Sequence, residues 1–288
     1  MRYTKNWVDY ELLDTSDGER LERWGDIFLI RPDPQVIWKT PKKHPKWKDA
    51  HARYQRSSSG GGAWDTYKKI PASWNIGFND LTFAVKPMGF KHTGLFPEQA
   101  VNWEFFAELI KKEKREIKVL NLFAYTGGAT IACLRAGAHV THVDASKGMT
   151  EWAKENAVLS GLRELPQRWI VDDCLKFIAR EQRRGNKYDA VIMDPPSYGR
   201  GPNGEVWKLE EQVYSLVEEC AKLLSDDPLF FAINSYTTGL SPSVMSYLLG
   251  TLVQPAHGGE ITSDEIGLPV SSTGLVLPCG ATAIWKKK

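Results

Sequence analysis

The residues best suited to chemistry are aspartates that stand at the ends of short apolar runs. Asp144 ends the run HVTHVD, Asp173 lies in VDDC, and Asp194 opens DPPSYGRG. Asp144 follows a Gly-Gly turn by about 20 residues, a spacing that fits an acid accepting hydrogen bonds from a ribose diol. The alternative is structural, because Asp144 and Ser146 both precede a predicted helix over residues 147–160 and either could cap it.

The glycine turn itself lies earlier in the chain. Thr126, Gly127 and Gly128 follow a buried run and open a predicted helix, so the backbone can pass close to a ligand while helix N–H groups point toward it. The same turn could be only a tight corner. GxxxxGK[ST] does not occur, and the first turn is not a GxGxxG, which argues against an ATP or GTP phosphate loop there.

The two later acids suggest further contacts. In VDDC, residues 171–174, a carboxylate could accept from the exocyclic amine of an adenine while the next backbone N–H meets a ring nitrogen. In DPPSYGRG, residues 194–201, two prolines fix an extended, rigid loop beside an acid and an aromatic ring. The alternative for DPPSY is a rigid turn that contacts no substrate.

The elements that position these residues follow from periodicity. From about residue 100, the apolar runs KVLNLF, HVTHVD, RWIV, YDAVIMD and LFFAIN alternate with helical stretches. Such repetition predicts a doubly wound, mostly parallel α/β sheet. EITSDEIGLP and ATAIWKKK add the last strands of a seven-stranded sheet, one of them antiparallel. Because ligands of open α/β sheets lie beyond the carboxyl ends of the strands, the three acids should share one site.

The N-terminal part reads differently. Residues 1–38 form short extended pieces around polar turns, and WNIGFNDLTFAVKP, residues 74–87, predicts a β-hairpin about an Asn-Asp turn. We therefore divide the chain into a small β-rich N-terminal domain, 1–90, and a Rossmann-like domain, 91–288. Residues 39–69, which include SSSGGG, are expected to be a flexible basic loop.

Length and composition limit the class of protein. The chain has 288 residues, of which 42% are apolar, enough for a substantial core. No run approaches the roughly 18 consecutive apolar residues that cross a bilayer, and the first residues lack the apolar stretch of a secretion signal. The four cysteines are far apart, without a CxxC or Cys/His cluster. We therefore expect a soluble, cytoplasmic protein with reduced thiols, no membrane association and no structural metal.

Charge is unevenly placed along the chain. The net charge is +2, but residues 39–69 carry nine Lys or Arg against two Asp, a local +7, interleaved with Trp and Tyr. Cations that neutralise phosphates beside rings that stack on bases indicate a nucleic-acid surface, with substrate contacts from Lys42, Lys43, Lys46 and Lys48. The alternative is a solvated loop whose tryptophans anchor it to the domain.

Several ordered motifs together resemble class I S-adenosylmethionine-dependent methyltransferases. KHTGLFPEQ (91–99), NLFAYTGG (121–128), HVDASKGMTEWAKENAVLSGL (142–162) and DPPSY are similar to bacterial ribosomal RNA large-subunit methyltransferases, over roughly residues 85–240. Phe123 and Tyr125 depart from the wider class, which has glycines there, but agree with the ribosomal subgroup. Ala100 stands where relatives often have Arg.

The resemblance implies S-adenosylmethionine as cofactor and assigns residues to it. Residues 123–128 would surround its methionine moiety, Asp144 its ribose, and Asp173 and Cys174 its adenine. The implied cofactor residues are Phe96, Gln99, Phe123, Ala124, Tyr125, Thr126, Gly127, Gly128, Asp144, Ala145, Ser146, Asp173 and Cys174. The implied methyl-transfer residues are Asp194, Pro195, Pro196 and Tyr198.

The loop sequences also bear on the atom that is methylated. Methylation of C5 of a pyrimidine requires a cysteine that adds to the ring, and neither DPPSYGRG nor FAINSYTTG contains one. The loop resembles those with which nitrogen methyltransferases hold a flipped base: Asp194 or the Pro195 carbonyl would accept from a base N–H, Tyr198 would stack, and Asn234 could add a hydrogen bond.

Three hypotheses follow. The first is methylation of a base nitrogen in RNA, most simply ribosomal RNA. The second is the same chemistry on a protein or a small molecule. The third is a cofactor-binding module without turnover.

Overall fold

The computed structural model of the chain describes residues 1–57, 61–200, 206–237 and 239–288. Its first element is a five-stranded sheet in the order β1-β2-β3-β4-β5, in which β3 and β4 are parallel and the other neighbours antiparallel. The strands are β1 (Tyr10–Ser16), β2 (Glu19–Trp24), β3 (Ile27–Pro32), β4 (Ala52–Arg56) and β5 (Gly62–Thr66). The predicted β-rich N-terminal element is confirmed.

The basic segment 39–69 differs from the flexible loop we expected. It contains a 3-10 turn at Pro45–Trp47 and then the strands β4 and β5, whose antiparallel pairing runs from Ala52–Thr66 to Arg56–Gly62. Residues 58–60 of the SSSGGG stretch lie outside the described residues. Local composition misled the prediction because β4 is fixed by a partner distant in sequence, β3.

The predicted hairpin at residues 74–87 is confirmed. The strands β6 (Trp74–Phe78) and β7 (Leu81–Val85) are antiparallel and enclose the turn Asn79–Asp80, where Asn79 has a positive φ of 52°. Asn tolerates this left-handed conformation better than most residues, which explains why the Asn-Asp pair marks the turn.

The seven-stranded sheet has the predicted mixed topology. Its strands are β8 (Lys118–Leu122), β9 (His139–Asp144), β10 (Gln167–Val171), β11 (Ala190–Met193), β14 (Phe230–Ser235), β15 (Glu260–Pro269) and β16 (Val276–Lys286). The order is β10-β9-β8-β11-β14-β16-β15, with only β16 antiparallel to its neighbours. Every residue of β11 and β14 is buried, as expected for strands covered by helices on both faces.

Helices connect these strands. They are α1 (Ala100–Lys112), α2 (Gly128–Arg135), α3 (Lys147–Leu159), α4 (Cys174–Arg183), α5 (Leu209–Ala221), α6 (Pro242–Leu252) and α7 (Gln254–His257). A second 3-10 turn, Pro97–Gln99, leads directly into α1. Within the described ranges, no helix combines the length and apolar character needed to cross a membrane.

A short hairpin that the sequence did not reveal follows DPPS. The strands β12 (Tyr198–Arg200) and β13 (Val206–Lys208) pair antiparallel, and α5 begins immediately afterwards. The loop after β11 therefore contains a two-stranded pairing of its own before α5 begins.

The apolar core is continuous between the N-terminal sheet and the seven-stranded sheet. Trp24 and Leu29 of the first belong to the same buried cluster as Phe83 of the hairpin and Val119 and Phe230 of the second. The division of the chain at residue 90 stays a prediction, but any boundary there crosses a shared core.

Candidate active site

A pocket opens beyond the carboxyl ends of β8 and β11, the central strands at which the chain reverses its order in the sheet. Nine of the predicted residues line it: Phe96, Gln99, Phe123, Ala124, Tyr125, Thr126, Gly128, Asp194 and Asn234. The sequence interpretation missed Leu95, Trp103, Asn121, Ala129 and Ile192, which complete the lining.

The loop after β8 forms one wall of this pocket. Phe123 and Tyr125 have φ values of 54° and 51°, and Gly127, which precedes α2, has 86°. Non-glycine residues adopt such values at a cost of order 1–3 kcal/mol. The two aromatic residues thus take a left-handed backbone conformation that glycine adopts more readily, and both line the pocket.

Asp144 is bound to this loop. Its Oδ2 accepts from the Tyr125 N–H at 2.8 Å and its Oδ1 from the Ser146 N–H at 2.8 Å. The helix cap is Ser146 instead, whose hydroxyl accepts from the Met149 N–H. Burial raises the pKa of Asp144, while the two N–H groups oppose that shift. The carboxylate is therefore oriented beside the lining residue Tyr125, although Asp144 does not itself line the pocket; Ala145 and Ser146 are exposed next to it.

Asp173 and Cys174 lie at the start of α4. Asp173 caps the helix, accepting from the Lys176 N–H at 2.9 Å, and is exposed. Cys174 is buried, and its thiol interacts with the Phe123 backbone, so the end of β10 does meet the loop after β8. Burial raises the pKa of this thiol to about 12, so it stays protonated.

The opposite wall is a hydrogen-bonded aromatic and amide network. The ring of Phe96 lies 5.4 Å from that of Tyr125 and 5.8 Å from that of Tyr236. Gln99 Nε2 donates to the Tyr236 hydroxyl at 2.9 Å, and its Oε1 accepts from Asn102 Nδ2 at 2.9 Å.

Asn102 extends this network to Asn234. Asn102 Nδ2 donates to Asn234 Oδ1 at 3.1 Å, and that oxygen also accepts from the Thr282 hydroxyl at 2.6 Å. With its carbonyl occupied, Asn234 has its amide nitrogen available to the pocket. This favours a role as donor to a ligand.

Asp194 follows β11 directly and is partly buried in the pocket. Burial, together with the negative charge of Glu98, raises its pKa to about 7. Pro195 is buried, and Pro196 and Tyr198 are exposed, Tyr198 by 52%.

The loop after Asp194 is fixed by its neighbours. Trp207 Nε1 donates to the Pro196 carbonyl at 2.6 Å, and the Leu209 N–H donates to the Ser197 carbonyl at 3.1 Å. The rigid loop that the two prolines predict is thus tied to β13 and to the start of α5.

A second buried carboxylate, Glu98, escaped the sequence interpretation. It is 4% exposed, and among the described residues its Oε2 has no hydrogen-bond partner. Burial raises its pKa, and the nearby guanidinium groups of Arg20 and Arg31 oppose the shift. Nothing in KHTGLFPEQ distinguishes this glutamate from a solvated one, because the Pro97–Gln99 turn packs against β15, which is distant in sequence.

The four lysines assigned to substrate lie outside this pocket. They are on the N-terminal sheet, where Lys42, Lys43 and Lys48 line a separate basic groove. Lys42 pairs with Glu19 at 3.0 Å and Lys46 with Asp49 at 2.8 Å. Lys43 and Lys48 are exposed and form no ion pair within the described part of the chain.

Most rings of the basic segment serve as anchors. Trp47 donates from Nε1 to Asp14 at 2.7 Å and is covered by the Lys42 ammonium, 4.5 Å from the ring centre. Tyr54 is buried and meets Trp64 edge-on at 5.4 Å. Tyr67 is 58% exposed. The anchoring alternative thus holds for three of the four rings.

A larger cleft lies at the opposite edge of the seven-stranded sheet. Lys118, His139 and Gln167, the first residues of β8, β9 and β10, line it. Ligands of open α/β sheets bind at the carboxyl ends of the strands, so the smaller pocket, with its oriented carboxylates, is the candidate site.

The described residues contain neither a group arranged to bind a metal ion nor an exposed cysteine thiol. No group of three or more His, Cys, Asp or Glu there is arranged to hold a metal ion. All four cysteines are buried, and burial raises their pKa values.

Comparison with known proteins agrees with this geometry. The family model of S-adenosylmethionine-dependent methyltransferases matches residues 46–234. The crystal structure of the SAM-dependent methyltransferase from Agrobacterium tumefaciens is similar, with a TM-score of 0.93 and 36% identity, over 99% of this chain and 93% of that one. SMU.776, whose structure is complexed with SAH, has a TM-score of 0.73 over 98% of this chain and 76% of that one; its 19% identity supports the fold alone.

A curated relative has a more specific name. The ribosomal RNA large subunit methyltransferase K/L of Pseudoalteromonas atlantica is 32% identical over 148 residues, which are 51% of this chain and 20% of the relative. The chain thus spans about a fifth of that protein's length. On the family match and the Agrobacterium structure, the chain belongs to the S-adenosylmethionine-dependent methyltransferases.

Proposed function

We propose that the protein methylates a nitrogen atom of an RNA base, most simply in ribosomal RNA. The observation that carries the proposal is Asp194: a partly buried carboxylate at the end of β11, with an exposed aromatic residue, Tyr198, four positions later on a fixed loop. This arrangement suits an acceptor for a base N–H beside a ring that stacks on the base.

The pocket fits S-adenosylmethionine. Asp144, oriented by two N–H groups, would accept from the ribose diol, and the left-handed loop 123–128 would surround the methionine part. One carboxylate oxygen of Asp173 caps α4, which leaves the other to accept from the adenine amine. Cys174 is the first residue of α4, and its N–H would meet a ring nitrogen. The bound cofactor supplies an activated methyl group, so the chain has only to align the acceptor and accommodate its proton.

Asp194 is suited to accept the proton that the base nitrogen loses. With a pKa of about 7, it is partly ionised at neutral pH and can accept a hydrogen bond from a base N–H. A base nitrogen that loses a proton on methylation would pass it toward this carboxylate. Pro195 and Pro196 would hold the acid in place, and Tyr198 would position the base.

Methylation of carbon is disfavoured by the cysteines. Attack on C6 of a pyrimidine needs a thiolate at the base, and the four thiols are buried and protonated. None belongs to the loops after β11 or β14 that face the pocket. The nitrogen interpretation therefore remains favoured.

The RNA substrate rests on two further features. Relatives are named ribosomal RNA methyltransferases, and the groove on the N-terminal sheet presents Lys43 and Lys48 to solvent. Such a substrate would place the protein in the cytoplasm. A protein or small-molecule substrate is the second candidate, favoured by the ion pairs and anchoring contacts that occupy much of the basic segment.

The decisive experiment offers RNA from a strain that lacks the gene. Purified protein and methyl-labelled cofactor should transfer label to this RNA, and mass spectrometry of nucleosides should locate the methyl group on a base nitrogen. Asp194→Asn should lose at least about a hundredfold in transfer, the lower end of the usual range for a positioned acid or base. Label found only in protein, or on C5 of a pyrimidine, would contradict the proposal.

A further inference from the structure

A narrow turn between β7 and the 3-10 turn at Pro97–Gln99 presents one exposed ring. The Lys86 N–H donates to the Thr93 carbonyl at 3.1 Å and the Met88 N–H to the His92 carbonyl at 3.2 Å, so residues 86–93, here called the 86–93 turn, fold back on themselves. Phe90 stands at the tip and is 62% exposed. The other ten phenylalanines are buried or half-buried, which makes this exposure exceptional in the chain.

Contacts from the N-terminal sheet hold one side of the 86–93 turn. Trp64 Nε1 of β5 donates to the Met88 carbonyl at 2.8 Å, and Arg31 Nη1 of β3 donates to the Lys91 carbonyl at 3.1 Å. Arg31 is itself fixed, being 1% exposed and paired with buried Glu22 at 2.5 Å. The exposed Phe90 ring therefore stands on a turn whose backbone is fixed by hydrogen bonds on both sides of it.

Contacts from the candidate active site hold the other side. The Tyr125 hydroxyl lies 3.3 Å from Met88 Sδ, and the ring of His92 lies 5.1 Å from that of Phe96. Tyr125 and Phe96 both line the pocket. Two peptide units separate Met88 from Phe90, so their Cα atoms are at most about 7.6 Å apart. Phe90 is therefore close to the wall of the pocket.

A cation follows the exposed ring in the chain. Lys91 is partly buried, and its ammonium lies 3.5 Å from the Pro32 carbonyl at the end of β3, on the side of the turn that faces the N-terminal sheet. Its pKa is lowered to about 8 by burial and by the nearby cations Arg20, Arg31 and Arg56; Asp33 opposes the shift. Asp33 is already shared with Arg20, at 3.5 Å. An anion arriving beside Lys91 would offset this local excess of positive charge.

An exposed flat ring whose neighbour in the chain carries an ammonium group matches the two halves of a nucleotide, since bases stack on rings and phosphates pair with cations. We propose that Phe90 and Lys91 bind a nucleotide that flanks the target base in single-stranded RNA. The ring stacks on the flanking base and the ammonium contacts its phosphate. This inference rests on the proposed RNA substrate and adds a second point of contact on the active-site side of the N-terminal sheet.

The test measures binding of a fluorescein-labelled, mixed-sequence single-stranded RNA of 20 nucleotides by anisotropy. Phe90→Leu keeps an apolar side chain but removes the flat ring, and Phe90→Trp keeps a ring. Base–ring stacking predicts at least about fivefold weaker binding for Phe90→Leu and recovery in Phe90→Trp. Lys91→Gln should reduce the salt dependence by a slope of about 0.7. Tyr247→Leu, which removes a 75% exposed ring on α6, is the matched control and should bind like the wild type.

Calorimetry with S-adenosylhomocysteine checks the neighbouring cofactor pocket, and its affinity should stay within about twofold in all four variants. Equal RNA affinity of Phe90→Leu and the wild type would overturn this inference and leave the proposed function intact. A wild type that binds no RNA would overturn both. A loss in Phe90→Leu that Phe90→Trp does not restore would assign the effect to folding of the turn and refute stacking.

Discussion

Replacing Asp194 by Asn should stabilise the folded protein while it removes activity, and the stabilisation should depend on pH. Burial and Glu98 raise the pKa of Asp194 from 3.8 to about 7. Below the pKa of the unfolded chain, the carboxyl group is protonated in both the folded and the unfolded state, so it does not lower the free energy of unfolding. As pH rises toward 7 the unfolded chain ionises first, and the wild type loses stability relative to a neutral side chain.

The size of the effect follows from the shift. About three pKa units correspond to about 4 kcal/mol, since one unit is about 1.4 kcal/mol. At pH 5 the free energy of unfolding of the wild type is already lower by roughly 1.5 kcal/mol of this total. Between pH 5 and pH 8, the unfolding free energy of Asp194→Asn minus that of the wild type should therefore increase by about 2–3 kcal/mol.

Urea unfolding followed by tryptophan fluorescence at several pH values measures this difference. Ser197→Ala, in the same loop but without a titratable group, is the control, and its difference from the wild type should not change with pH. Calorimetry should find cofactor affinity preserved in Asp194→Asn. If the stability curves of Asp194→Asn and the wild type run parallel from pH 5 to pH 8, the carboxylate is not buried as described and its assignment as the proton acceptor fails.

Other parts of the site give further predictions. Asp144→Ala should weaken cofactor binding by about 1–3 kcal/mol, measured by calorimetry, because a ribose diol loses its acceptor; unchanged affinity would remove Asp144 from the site. In Gly128→Ala the new Cβ would lie 2.3 Å from the buried ring of Trp103, so thermal unfolding should show a loss of about 1–3 kcal/mol. RNA containing 5-fluorocytidine should form no covalent adduct on denaturing gels, since the cysteine thiols are buried; a stable adduct would contradict nitrogen methylation. The pair Lys43→Gln and Lys48→Gln should lower the salt slope of RNA binding by roughly 0.7 per contact, whereas an unchanged slope would make the groove a solvated surface.

The sequence alone determined the order of elements in the seven-stranded sheet and the acids that end or follow three of its strands. Buried parallel strands read as continuous apolar runs, and the Asn79–Asp80 turn has a local chemical signature, so both were predictable from neighbouring residues. The placement of Asp144 and Asp194 at one edge of the sheet followed from parallel topology, because strands in one direction end on the same side.

Tertiary structure decided what depends on partners distant in sequence. Residues 52–66 form β4 and β5 because β4 pairs with β3, which composition could not reveal. The left-handed conformation of Tyr125 is accompanied by a hydrogen bond from its N–H to Asp144, 19 residues away in the chain. Glu98 resembles a surface glutamate in the sequence, and its burial appears only when the Pro97–Gln99 turn packs against β15. Secondary structure depends largely on neighbouring residues in the chain, whereas the burial and the pKa of a side chain depend on the elements that pack around it. The chemical properties of the site therefore required the tertiary structure.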